Sequence, residues 1–484
     1  MRNLLVLVMV VSAASYGQGW TAQEQVSAPG PSRQNIQPTL LVDGDGIPWA
    51  VWHSLGRNRS LVLSRRIQGV WTSETIVSPH PPEVRAQLRP ALTRGTDGQP
   101  WLVWSNAMTD NDNDVGFCRW TGTAWSDELL VNQPDSSELN FAPRVASGGG
   151  RAWCVWYGGP TDISPYAVYA SEWDSTRDEW AAETQVSPPD GFHHWWCDVA
   201  VGADGTPHVV WIEVPHYRVL YSRWDGAGWT APESVNTPDS VRASPWGNPR
   251  LGVDSGGGLH VTYTGADFGA TSRDVYHVRR TPSGWGSSTK VSRDSLYQEW
   301  YADIAVVASD DIWAVWNRQG EGSDEFRLYA SHYDGTRWSA EARLDNSGAT
   351  RDGMPDAALG PDGLPHVSWD ADDVQGDAQV YHSHYESSAV GEYPTLSGSG
   401  PLSLVVATPV RRRLRVRAVS LTSSCVEVRV FDGLGRPIAH HVAPAGARMT
   451  EALLDMPLPT SGLYFIRARS GPLVATEKVI AVGN

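Results

Sequence analysis

The sequence predicts an all-β chain: a seven-bladed β-propeller of four-stranded blades, followed by a small Ig-like β-sandwich. A short motif that ends in Trp or Tyr occurs seven times, at steps of 52 to 55 residues. Repetition at such a period indicates units that are too small to bury their own cores and therefore stack on their neighbours. The chain also contains 24 Trp and 47 Gly, and 19% of it is charged, a composition typical of a turn-rich β protein.

Each copy of the motif is the second of four predicted strands in its repeat. Residues 48–52 read Pro-Trp-Ala-Val-Trp, and residues 100–104 read Pro-Trp-Leu-Val-Trp. An apolar first strand ends at an Asp-Gly turn such as Asp204-Gly205, because this pair tolerates the positive φ of short hairpins. An alternating third strand follows, and the fourth opens with a Trp, as in residues 229–235. Four antiparallel strands per unit are typical of propeller blades.

The two ends of the repeat region predict how the ring closes. The seventh repeat has no fourth strand after Tyr385, whereas residues 19–27 (GWTAQEQVS) copy the fourth strand at 228–236 (GWTAPESVN). We therefore expect the first strand of the mature chain to pair with the third strand of the last blade, near residues 380–385. Such pairing covers the edge that an open array would expose.

The sequence divides into four predicted segments. Residues 1–17 are expected to be a signal peptide, since Arg2 precedes the apolar run 4–11 and small residues follow it. Residues 18–385 form the propeller, residues 386–400 a linker rich in Gly, Ser and Thr, and residues 401–484 the sandwich. No other stretch approaches the roughly 20 apolar residues of a membrane-spanning helix, so we expect an exported protein without a transmembrane segment.

Charge and cysteine content narrow the range of partners. The net charge of −16 argues against nucleic acid, because so acidic a surface repels phosphate, and it favours a neutral or cationic ligand. The cysteines, Cys118, Cys154, Cys197 and Cys425, are too few for a disulfide framework and lack the spacing of a metal motif. Cys118 and Cys154 fall in repeat columns of small residues, which predicts buried core positions. We expect a monomer.

Residues 401–484 resemble the type A sorting domain of type IX secretion substrates. The matching motifs, in order, are Ala-Thr-Pro-Val at 407–410, Gly-Leu-Gly-Arg-Pro at 433–437, Ser-Gly-Leu-Tyr-Phe-Ile at 461–466 and Lys-Val-Ile at 478–480. The resemblance implies that the secretion machinery is a partner and that the protein crosses the outer membrane of a Gram-negative-type bacterium. It further implies release or attachment at the cell surface, and a domain that is a sorting signal without an active site.

The repeats are similar to those of the sialidase-like propeller superfamily with its Asp-box (BNR) turns. Residues 222–229 (SRWDGAGW) are similar to an Asp-box, and residues 334–338 (DGTRW) are a weaker copy. Such boxes are structural turns, so the resemblance implies the fold and not the chemistry. Residues 88–92 (LRPAL) are also similar to the arginine motif of sialidases, but Pro90 occupies a proline column that several repeats share. No arginine triad or Tyr/Glu nucleophile pair can be placed.

Four Trp are left unexplained by the repeat columns: Trp195, Trp196, Trp246 and Trp300. All four fall in connections between the fourth strand of one blade and the first strand of the next, which lie on one face of a propeller. The same connections carry His193, His194, Tyr297, Glu299 and Tyr301. Aromatic rings beside polar groups suit sugars, whose C–H faces stack while their hydroxyls form hydrogen bonds. These nine residues are therefore a candidate ligand face, and the alternative is packing between blades.

Two sets of polar residues are candidates for catalysis. Adjacent residues on a strand point to opposite sides, so His193 and His194 cannot easily bind one metal, although one of them could act as a base. Asp198, Asp303 and Asp356 share a column at the start of the first strand. Repetition favours a structural hydrogen-bonding role for these aspartates, and acid/base catalysis at glycosidase separations is the alternative.

A third set is a candidate calcium loop. Asp110, Asp112 and Asp114 alternate ahead of Gly116 between the second and third strands of the second repeat. No distal Glu completes the ligand set of a calcium loop. We therefore expect a solvated loop that binds calcium weakly at most, and no other cofactor.

Three functions remain open on the sequence. The first is a non-enzymatic binding module, outside the cell or on its surface, for a polysaccharide or surface glycan. The second is an extracellular glycosidase or polysaccharide lyase that uses the same face, and the third is a structural or adhesive surface protein. Two carboxyl groups at glycosidase separations beside the channel would favour an enzyme.

Overall fold

The structure is a computed structural model, and it describes residues 19–28, 34–57, 59–77, 84, 86–109, 112–133, 138–160, 165–236, 240–245, 247–267, 269–270, 272–293, 297–320, 325–345, 352–373, 376–386, 402–406, 413–420, 425–432, 435–444, 450–457, 462–471 and 473–481. The expected signal peptide and residues 387–400 of the expected linker lie outside them. The chain divides into two compact units, Met1–Tyr385 and Glu386–Asn484. The division falls where the repeats end in the sequence.

The first three repeats consist of antiparallel strands with one short 3-10 turn, Leu55–Arg57. Strand β1 (Glu24–Gln25) precedes them. The first repeat contains β2 (Asn35–Val42), β3 (Pro48–Ser54), β4 (Ser60–Ile67), β5 (Val70–Trp71) and β6 (Thr75–Ile76). The second contains β7 (Ala86–Arg94), β8 (Pro100–Thr109), β9 (Asp112–Arg119) and β10 (Leu129–Leu130). The third contains β11 (Leu139–Gly148), β12 (Arg151–Gly159), β13 (Ala167–Asp174), β14 (Glu179–Trp180) and β15 (Thr184–Gln185).

The next four repeats follow the same plan. The fourth contains β16 (His193–Val201), β17 (Pro207–Val214), β18 (Arg218–Arg223) and β19 (Glu233–Ser234). The fifth contains β20 (Val241–Ala243), β21 (Arg250–Val253), β22 (Leu259–Asp267), β23 (Asp274–Thr281), β24 (Gly284–Trp285) and β25 (Thr289–Lys290). The sixth contains β26 (Gln298–Ala308), β27 (Asp311–Gln319), β28 (Phe326–Tyr333) and β29 (Ala342–Arg343), and the seventh β30 (Asp356–Leu359), β31 (Pro365–Asp372) and β32 (Ala378–His384).

Within each repeat the strands pair in chain order, and the second and third repeats are joined into one sheet by a single parallel contact between β9 and β11. The Asp-Gly turns form as expected, with Gly205 at a φ of 82°. The fourth strands are shorter than the sequence suggests. Trp229 forms an isolated bridge with Trp224, and β19, only two residues long, follows it.

The second strand of each repeat supplies most of the core. Its terminal aromatic rings are fully buried in all seven repeats: Trp52, Trp104, Trp156, Trp211, Tyr263, Trp316 and Trp369. Large rings at 52- to 55-residue intervals fill the space between neighbouring sheets, which a single repeat could not enclose. Cys118 and Cys154 are buried in these layers, as their columns predict, and no disulfide joins the cysteines of the described chain.

The N-terminal strand pairs with the last repeat, as the sequence predicts. Strand β1 lies antiparallel to β32, with Glu24 opposite His382 and Gln25 opposite Tyr381. Trp20 forms an isolated bridge with Tyr385. The first strands of successive repeats also contact one another, and β30 of the last repeat lies against β2 of the first.

The second unit is built from two antiparallel sheets. One contains β33 (Leu402–Val406), β34 (Arg413–Ser420) and β37 (Thr450–Pro457). The other contains, in spatial order, β36 (Pro437–Ala443), β35 (Val426–Asp432), β38 (Gly462–Ser470) and β39 (Leu473–Ala481). The sheets contact each other through β33 and β39, and Val428, Val430 and Ile466 are fully buried. The motif residues 407–410, 433–434 and 461 lie outside the described chain.

Among the residues that the structure describes, no helix has the length and apolar character needed to cross a bilayer.

Candidate functional site

The first strand of most repeats carries one residue in a left-handed conformation. We call these six residues the left-handed column: Gln37 (φ 54°), Arg89 (50°), Ala142 (45°), Trp196 (50°), Asn248 (39°) and Tyr301 (50°). In five repeats the pairing register shifts at this point, so an extra residue bulges and its side chain is re-aimed. A left-handed non-glycine residue costs about 1–2 kcal/mol. Its recurrence indicates that the fold imposes this geometry at a defined place.

Residues of the left-handed column converge on one cavity, which we call the mouth cavity. Its lining includes five of the six, and Met354 of the last repeat takes the equivalent place. Residues from six repeats meet here, so the cavity lies where the first strands come together. Arg144, Arg250 and Asp356 also line it, and the space open to water is about 40 Å3.

A ring of charged residues follows two positions after the left-handed column. It consists of Arg144, Asp198, Arg250, Asp303 and Asp356, and we call it the charged ring. Arg250 lies between two carboxylates, with Nε 3.4 Å from Oδ1 of Asp303 and Nη1 3.9 Å from Oδ1 of Asp198. Nη1 of Arg144 lies 3.9 Å from Oδ1 of Asp356. Long ion pairs of this kind leave each guanidinium with N–H groups for other acceptors.

The three aspartates of the charged ring also hold neighbouring repeats together. Oδ2 of each accepts a backbone N–H from the first strand of the next repeat. These bonds join Asp198 to Leu251 (2.8 Å), Asp303 to Ala357 (2.8 Å) and Asp356 to Leu40 (2.7 Å). The structural hydrogen-bonding role that repetition favours is therefore present, and one oxygen of each carboxylate is committed to it.

Burial raises the pKa of two aspartates of the charged ring, Asp356 and Asp198. It raises the pKa of Asp356 to about 6, and the carboxylate of Asp303 adds to the rise. Burial also raises the pKa of Asp198, although Arg250 and Arg144 oppose this. An acid with a pKa near 6 can bind or release a proton close to neutral pH. Asp356 is thus the carboxyl group of the mouth cavity that is best suited to proton transfer.

Trp196 contributes its ring to the mouth cavity. The ring is 8% exposed, and the guanidinium of Arg89 lies 4.8 Å from its centre. Its other neighbour is Tyr157, at 5.9 Å between ring centres. An Arg stacked on Trp is a cation–π pair, so Arg89 and Trp196 form one planar, amphipathic surface at the mouth.

Trp195 belongs to an aromatic cluster that continues outward from Trp196. Tyr166 connects the two Trp residues, with its ring centre 5.9 Å from Tyr157 and 6.4 Å from Trp195. His193 lies 5.6 Å from Trp195 and 5.5 Å from Tyr166. Trp195 and His193 are half-buried, and the cluster gives the third and fourth repeats a continuous aromatic edge.

His194 points to the other side of the strand, as alternation predicts, and is buried. Its Nδ1 accepts a hydrogen bond from Nε1 of Trp211 at 2.9 Å, and its Nε2 lies 3.0 Å from Oδ1 of Asp190. Both ring nitrogens therefore have partners inside the fold. These contacts give His194 a structural role, whereas His193 lies on the aromatic edge.

Trp300 and Tyr301 form a separate pair in the sixth repeat, with ring centres 6.3 Å apart. The guanidinium of Arg273 lies 4.2 Å from the centre of the Trp300 ring. Tyr301 belongs to the left-handed column, whereas Trp300 packs beside Arg273. No ring contact between this pair and the aromatic edge is present among the described residues, and Trp246 lies outside them.

Glu299 and Tyr297 surround Arg318. Glu299 is fully buried and accepts a hydrogen bond from Nε of Arg318 at 2.8 Å. Burial raises the pKa of Glu299 to about 8, and Arg318 limits the rise. The Arg318 guanidinium lies 5.5 Å from the centre of the Tyr297 ring. These contacts place Glu299 in the packing beneath the surface, and its role in ligand binding stays a prediction.

The predicted calcium loop is wrong in its secondary structure. Asp110 lies outside the described residues, but Asp112 and Asp114 belong to strand β9. Asp114 is buried, and its Oδ1 accepts a hydrogen bond from the amide of Asn132 at 2.9 Å. Pairing with β8 continues through this segment because the connection between the two strands is shorter than the acidic run suggests.

Sequence reasoning missed the two arginines of the charged ring and gave Arg89 no role. Arg144 and Arg250 follow Pro143 and Pro249 directly, in the same column as the three predicted aspartates. Arg89 precedes Pro90, whose column was treated as purely structural. Aligning the residues on both sides of that proline across all seven repeats would have identified the left-handed column and the charged ring.

Comparison with known proteins gives a fold and no family. No family model matches the chain, and no curated protein matches it. Among solved structures, the BP39L lectin from Burkholderia pseudomallei is similar, with a TM-score of 0.51 at 13% identity over 74% of this chain and 96% of that one.

Two further structures are similar at lower scores. The polysaccharide lyase Uly1 gives a TM-score of 0.49 at 11% identity over 77% of this chain and 94% of that one. The α-L-arabinanase from Penicillium chrysogenum gives 0.43 at 10% identity over 75% and 98%. At such identities a similarity concerns the fold alone. The similarity to the BP39L lectin, together with the repeated antiparallel sheets, identifies the first unit as an all-β domain of the β-propeller fold.

Proposed function

We propose that the first unit is a closed seven-bladed propeller that binds a saccharide at the mouth cavity. The observation that carries this proposal is the convergence of the left-handed column, which brings residues from five repeats to one cavity, where Met354 of the last repeat joins them. Ligand sites in proteins are typically concave, with a few polar groups on an apolar lining. The mouth cavity has this character, with Trp196 and Arg89 beside the arginines and Asp356.

The chemistry of the mouth suits sugar hydroxyls. Arg89, Arg144 and Arg250 offer N–H donors, and the amide of Asn248 both donates and accepts. The charged ring and Arg89 together carry three positive and three negative side chains, so the mouth has no strong preference for charge. The 40 Å3 open to water is too small for a sugar ring. We therefore expect a neutral glycan to lie across the mouth on Trp196 and to insert only a substituent.

Contacts between the first and last repeats support the closed ring. Oδ2 of Asp356 accepts the N–H of Leu40 at 2.7 Å, and the Thr39 hydroxyl lies 3.1 Å from the same oxygen. Strand β1 completes the last sheet. Each of these contacts joins residues more than 300 positions apart in the chain, which supports a ring in which the last repeat lies beside the first.

A polysaccharide panel tests binding. The purified chain is titrated by calorimetry with neutral and acidic oligosaccharides, and Arg89→Ala and Asn248→Ala are measured in parallel. Arg94→Ala is the matched control, since Arg94 lies on the same strand β7 and is exposed at its far end. We expect both mouth variants to weaken binding about 10-fold, close to 1.4 kcal/mol, and the control to leave it unchanged. Equal binding by the parent and all three variants would mean that the ligand binds somewhere other than the mouth cavity.

Asp356 favours glycoside hydrolysis as the second candidate function. Its pKa of about 6 suits a general acid, and the carboxyl group of Asp303 is a candidate partner for a two-carboxylate mechanism. The same panel is scored for reducing ends. A hydrolase requires that Asp356→Asn abolishes turnover while binding persists, whereas a binding protein releases no product with either form.

We also propose an extracellular or surface location, reached through residues 1–17 and the second unit. The support is the sorting-domain resemblance and the two packed antiparallel sheets of β33 to β39. A monomer with no nucleic-acid partner is the simplest assembly for this role.

A further inference from the structure

Three imidazoles lie together at the end of the last repeat that is opposite the mouth. His366 is at the start of β31, and His382 and His384 are on β32, directly before it ends. His366 pairs with His384 across the two strands. One nitrogen from each ring lies within 4.8 Å of the others. In the pairing of β30 with β31, Asp356 lies opposite Ser368 and Ala358 opposite His366, so the cluster lies further along the sheet than Asp356.

The spacing of the three rings suits a tetrahedral metal. Their centres are 5.0, 5.3 and 5.6 Å apart. Zinc binds histidine at Zn–N distances of about 2.0–2.1 Å, which puts three tetrahedrally arranged ring centres about 5.3 Å from one another. Nδ1 of His366 and Nε2 of His382 are 3.1 Å apart, close to the roughly 3.3 Å between two zinc-bound nitrogens. The ring planes are inclined to one another by 13°, 20° and 31°, so the rings have to turn about their side-chain torsions to point at one ion.

The other repeats define what is specific to this cluster. The position of His366 is Trp in four repeats and His in two others, His208 and His260. Each of these two histidines hydrogen-bonds one ring on its third strand: His208 contacts Tyr221 at 2.8 Å, and His260 contacts His277 at 3.1 Å. A hydrogen bond from this histidine to a ring on the third strand is thus a structural feature of three repeats. In the last repeat, His382 is the ring that pairs with His366.

The third imidazole, His384, stands in a column where the third repeat has Glu172 and the sixth has His332, which stacks on Trp313 at 4.2 Å between ring centres. The residue across from the His or Trp position is Arg in four repeats, including Arg223 and Arg279 opposite the two other histidines. In the last repeat it is His384. Where those four repeats have a cationic Arg, the last repeat has the imidazole of His384. Beside the hydrogen-bonded pair His366 and His382, it completes a set of three possible metal ligands.

The surroundings of the cluster also fit a cation. The Thr21 hydroxyl lies 3.3 Å from Nδ1 of His384, and ligating histidines commonly hold their second nitrogen in this way. Arg66 is a positive charge that acts on His366 and His382, and Glu24 binds its guanidinium at 2.8 Å, which offsets that charge. His382 is fully buried, and its Nδ1 has no hydrogen-bond partner among the described residues.

We propose that His366, His382 and His384 bind one zinc ion, with a fourth position open to water. Three neutral imidazoles and an open site form a donor set that zinc accepts readily. His366 and His384 are half-buried, so the ion can enter from solvent. The ion connects β31 and β32, and through Thr21 it also stabilises the N-terminal segment on the last sheet.

Zinc titration of the full-length, tag-free chain tests the site. The protein is stripped with a chelator, dialysed and titrated with zinc chloride by calorimetry, and bound metal is counted by elemental analysis. His384→Arg is the decisive variant, since arginine occupies this place in the fourth and fifth repeats and should preserve the fold. His277→Ala is the matched control, because it removes an imidazole from the two-residue pair of the fifth repeat.

The expected result is one zinc per chain in the parent and in His277→Ala, together with a rise in melting temperature when zinc is added. His384→Arg should bind zinc at least about 10-fold more weakly and lose that rise while its metal-free melting temperature stays close to the parent's. Equal zinc binding by parent and His384→Arg, or no stoichiometric zinc in the parent, would overturn the proposal.

Discussion

The carboxylate of Asp356, in the last repeat, accepts the backbone N–H of Leu40, in the first, at 2.7 Å. The same side chain faces Arg144 with its other oxygen. Its pKa of about 6 lies above that of the free side chain, because burial costs the charged form more than Arg144 returns. Hydrogen bonding, more than charge, is therefore what Asp356 contributes to the contact between the repeats.

The first prediction contrasts two substitutions of Asp356. Asp356→Asn keeps an oxygen for the N–H of Leu40, so its free energy of unfolding at pH 7 should lie within about 1 kcal/mol of the parent's. Asp356→Ala leaves a buried N–H without an acceptor and should cost about 2 kcal/mol. Urea unfolding measures both, and Asp45→Asn on the exposed first turn is the control. If the Ala and Asn variants are equally stable, the bond to Leu40 contributes nothing.

The second prediction concerns pH. The pKa of Asp356 is raised in the folded protein to about 6, above the 3.8 of the free side chain. A raised carboxyl pKa adds stability that is present below about pH 4 and is lost as the pH rises through 6. The parent should therefore gain on the order of 2 kcal/mol relative to Asp356→Asn between pH 7 and pH 4.5. Urea unfolding at both pH values checks this, and a constant difference would show that the pKa is not raised.

The third prediction concerns Trp20, on the N-terminal segment that pairs with the last repeat. Its ring is 5% exposed and packs at 5.8 Å from Trp313 and 5.6 Å from Tyr385. Because it fills a gap between two repeats, Trp20→Ala should lower the free energy of unfolding by about 3–5 kcal/mol. Deletion of residues 18–28 should cost more, since strand β1 is then lost as well.

Thermal unfolding of the full chain measures the cost of Trp20→Ala. Trp285→Ala is the control, since this half-buried Trp opens the fourth strand of an internal repeat that stays covalently connected on both sides. A Trp20→Ala protein that melts with the parent would mean that the N-terminal segment does not help to close the ring.

Sequence periodicity was sufficient to predict the repeats and the pairing of the N-terminal strand, because each prediction depends on a motif that recurs. Residues 19–27 copy an internal fourth strand, and β1 pairs with β32 as that copy predicts. The fourth strands turned out shorter because a Trp bridge and a bend precede the ladder, as at Trp224 and Trp229. The acidic run near Asp112 was misleading because it suggests a loop, whereas Asp112 begins strand β9.

The candidate site could be predicted only in part, because its geometry arises from the bulges. Trp196, Tyr301 and the three aspartates were identified from their places in the repeats. Arg89 could not be assigned, since only the left-handed turn at the first strand directs it over the Trp196 ring. Convergence of side chains that lie about 50 residues apart depends on how the repeats pack together, which composition and local pattern do not encode.

The fourth prediction concerns export. If residues 401–484 act as a sorting signal, truncation after Ser388 should leave a folded propeller inside the periplasm of a type IX-competent host. The cut lies beyond the first compact unit, which ends at Tyr385, so its sheets keep all their strands. Immunoblots of medium and periplasm locate the protein, and Asp356→Asn in the full-length chain controls for general effects of substitution. Normal secretion of the truncated protein would contradict the sorting role.

The fifth prediction concerns the Trp residues that the repeat columns do not explain. Trp300 lies against Arg273, with 4.2 Å from the guanidinium to the ring centre, and it is half-buried. Trp300→Ala should therefore reduce stability as well as any saccharide binding. The coupling between Trp300→Ala and Arg273→Ala in a double-mutant cycle of urea unfolding should be about 1 kcal/mol, the contribution of a partly exposed cation–π pair.

Saccharide titration of the same variants, with Trp246→Ala beside them, separates a ligand face from packing. Arg273→Ala uncovers the Trp300 ring without removing it, so a binding role predicts unchanged or tighter binding by this variant and weaker binding by Trp300→Ala. If Trp300→Ala and Arg273→Ala lose the same stability and neither changes binding, Trp300 belongs to the loop packing. The glycan face is then confined to Trp196 and its neighbours at the mouth cavity.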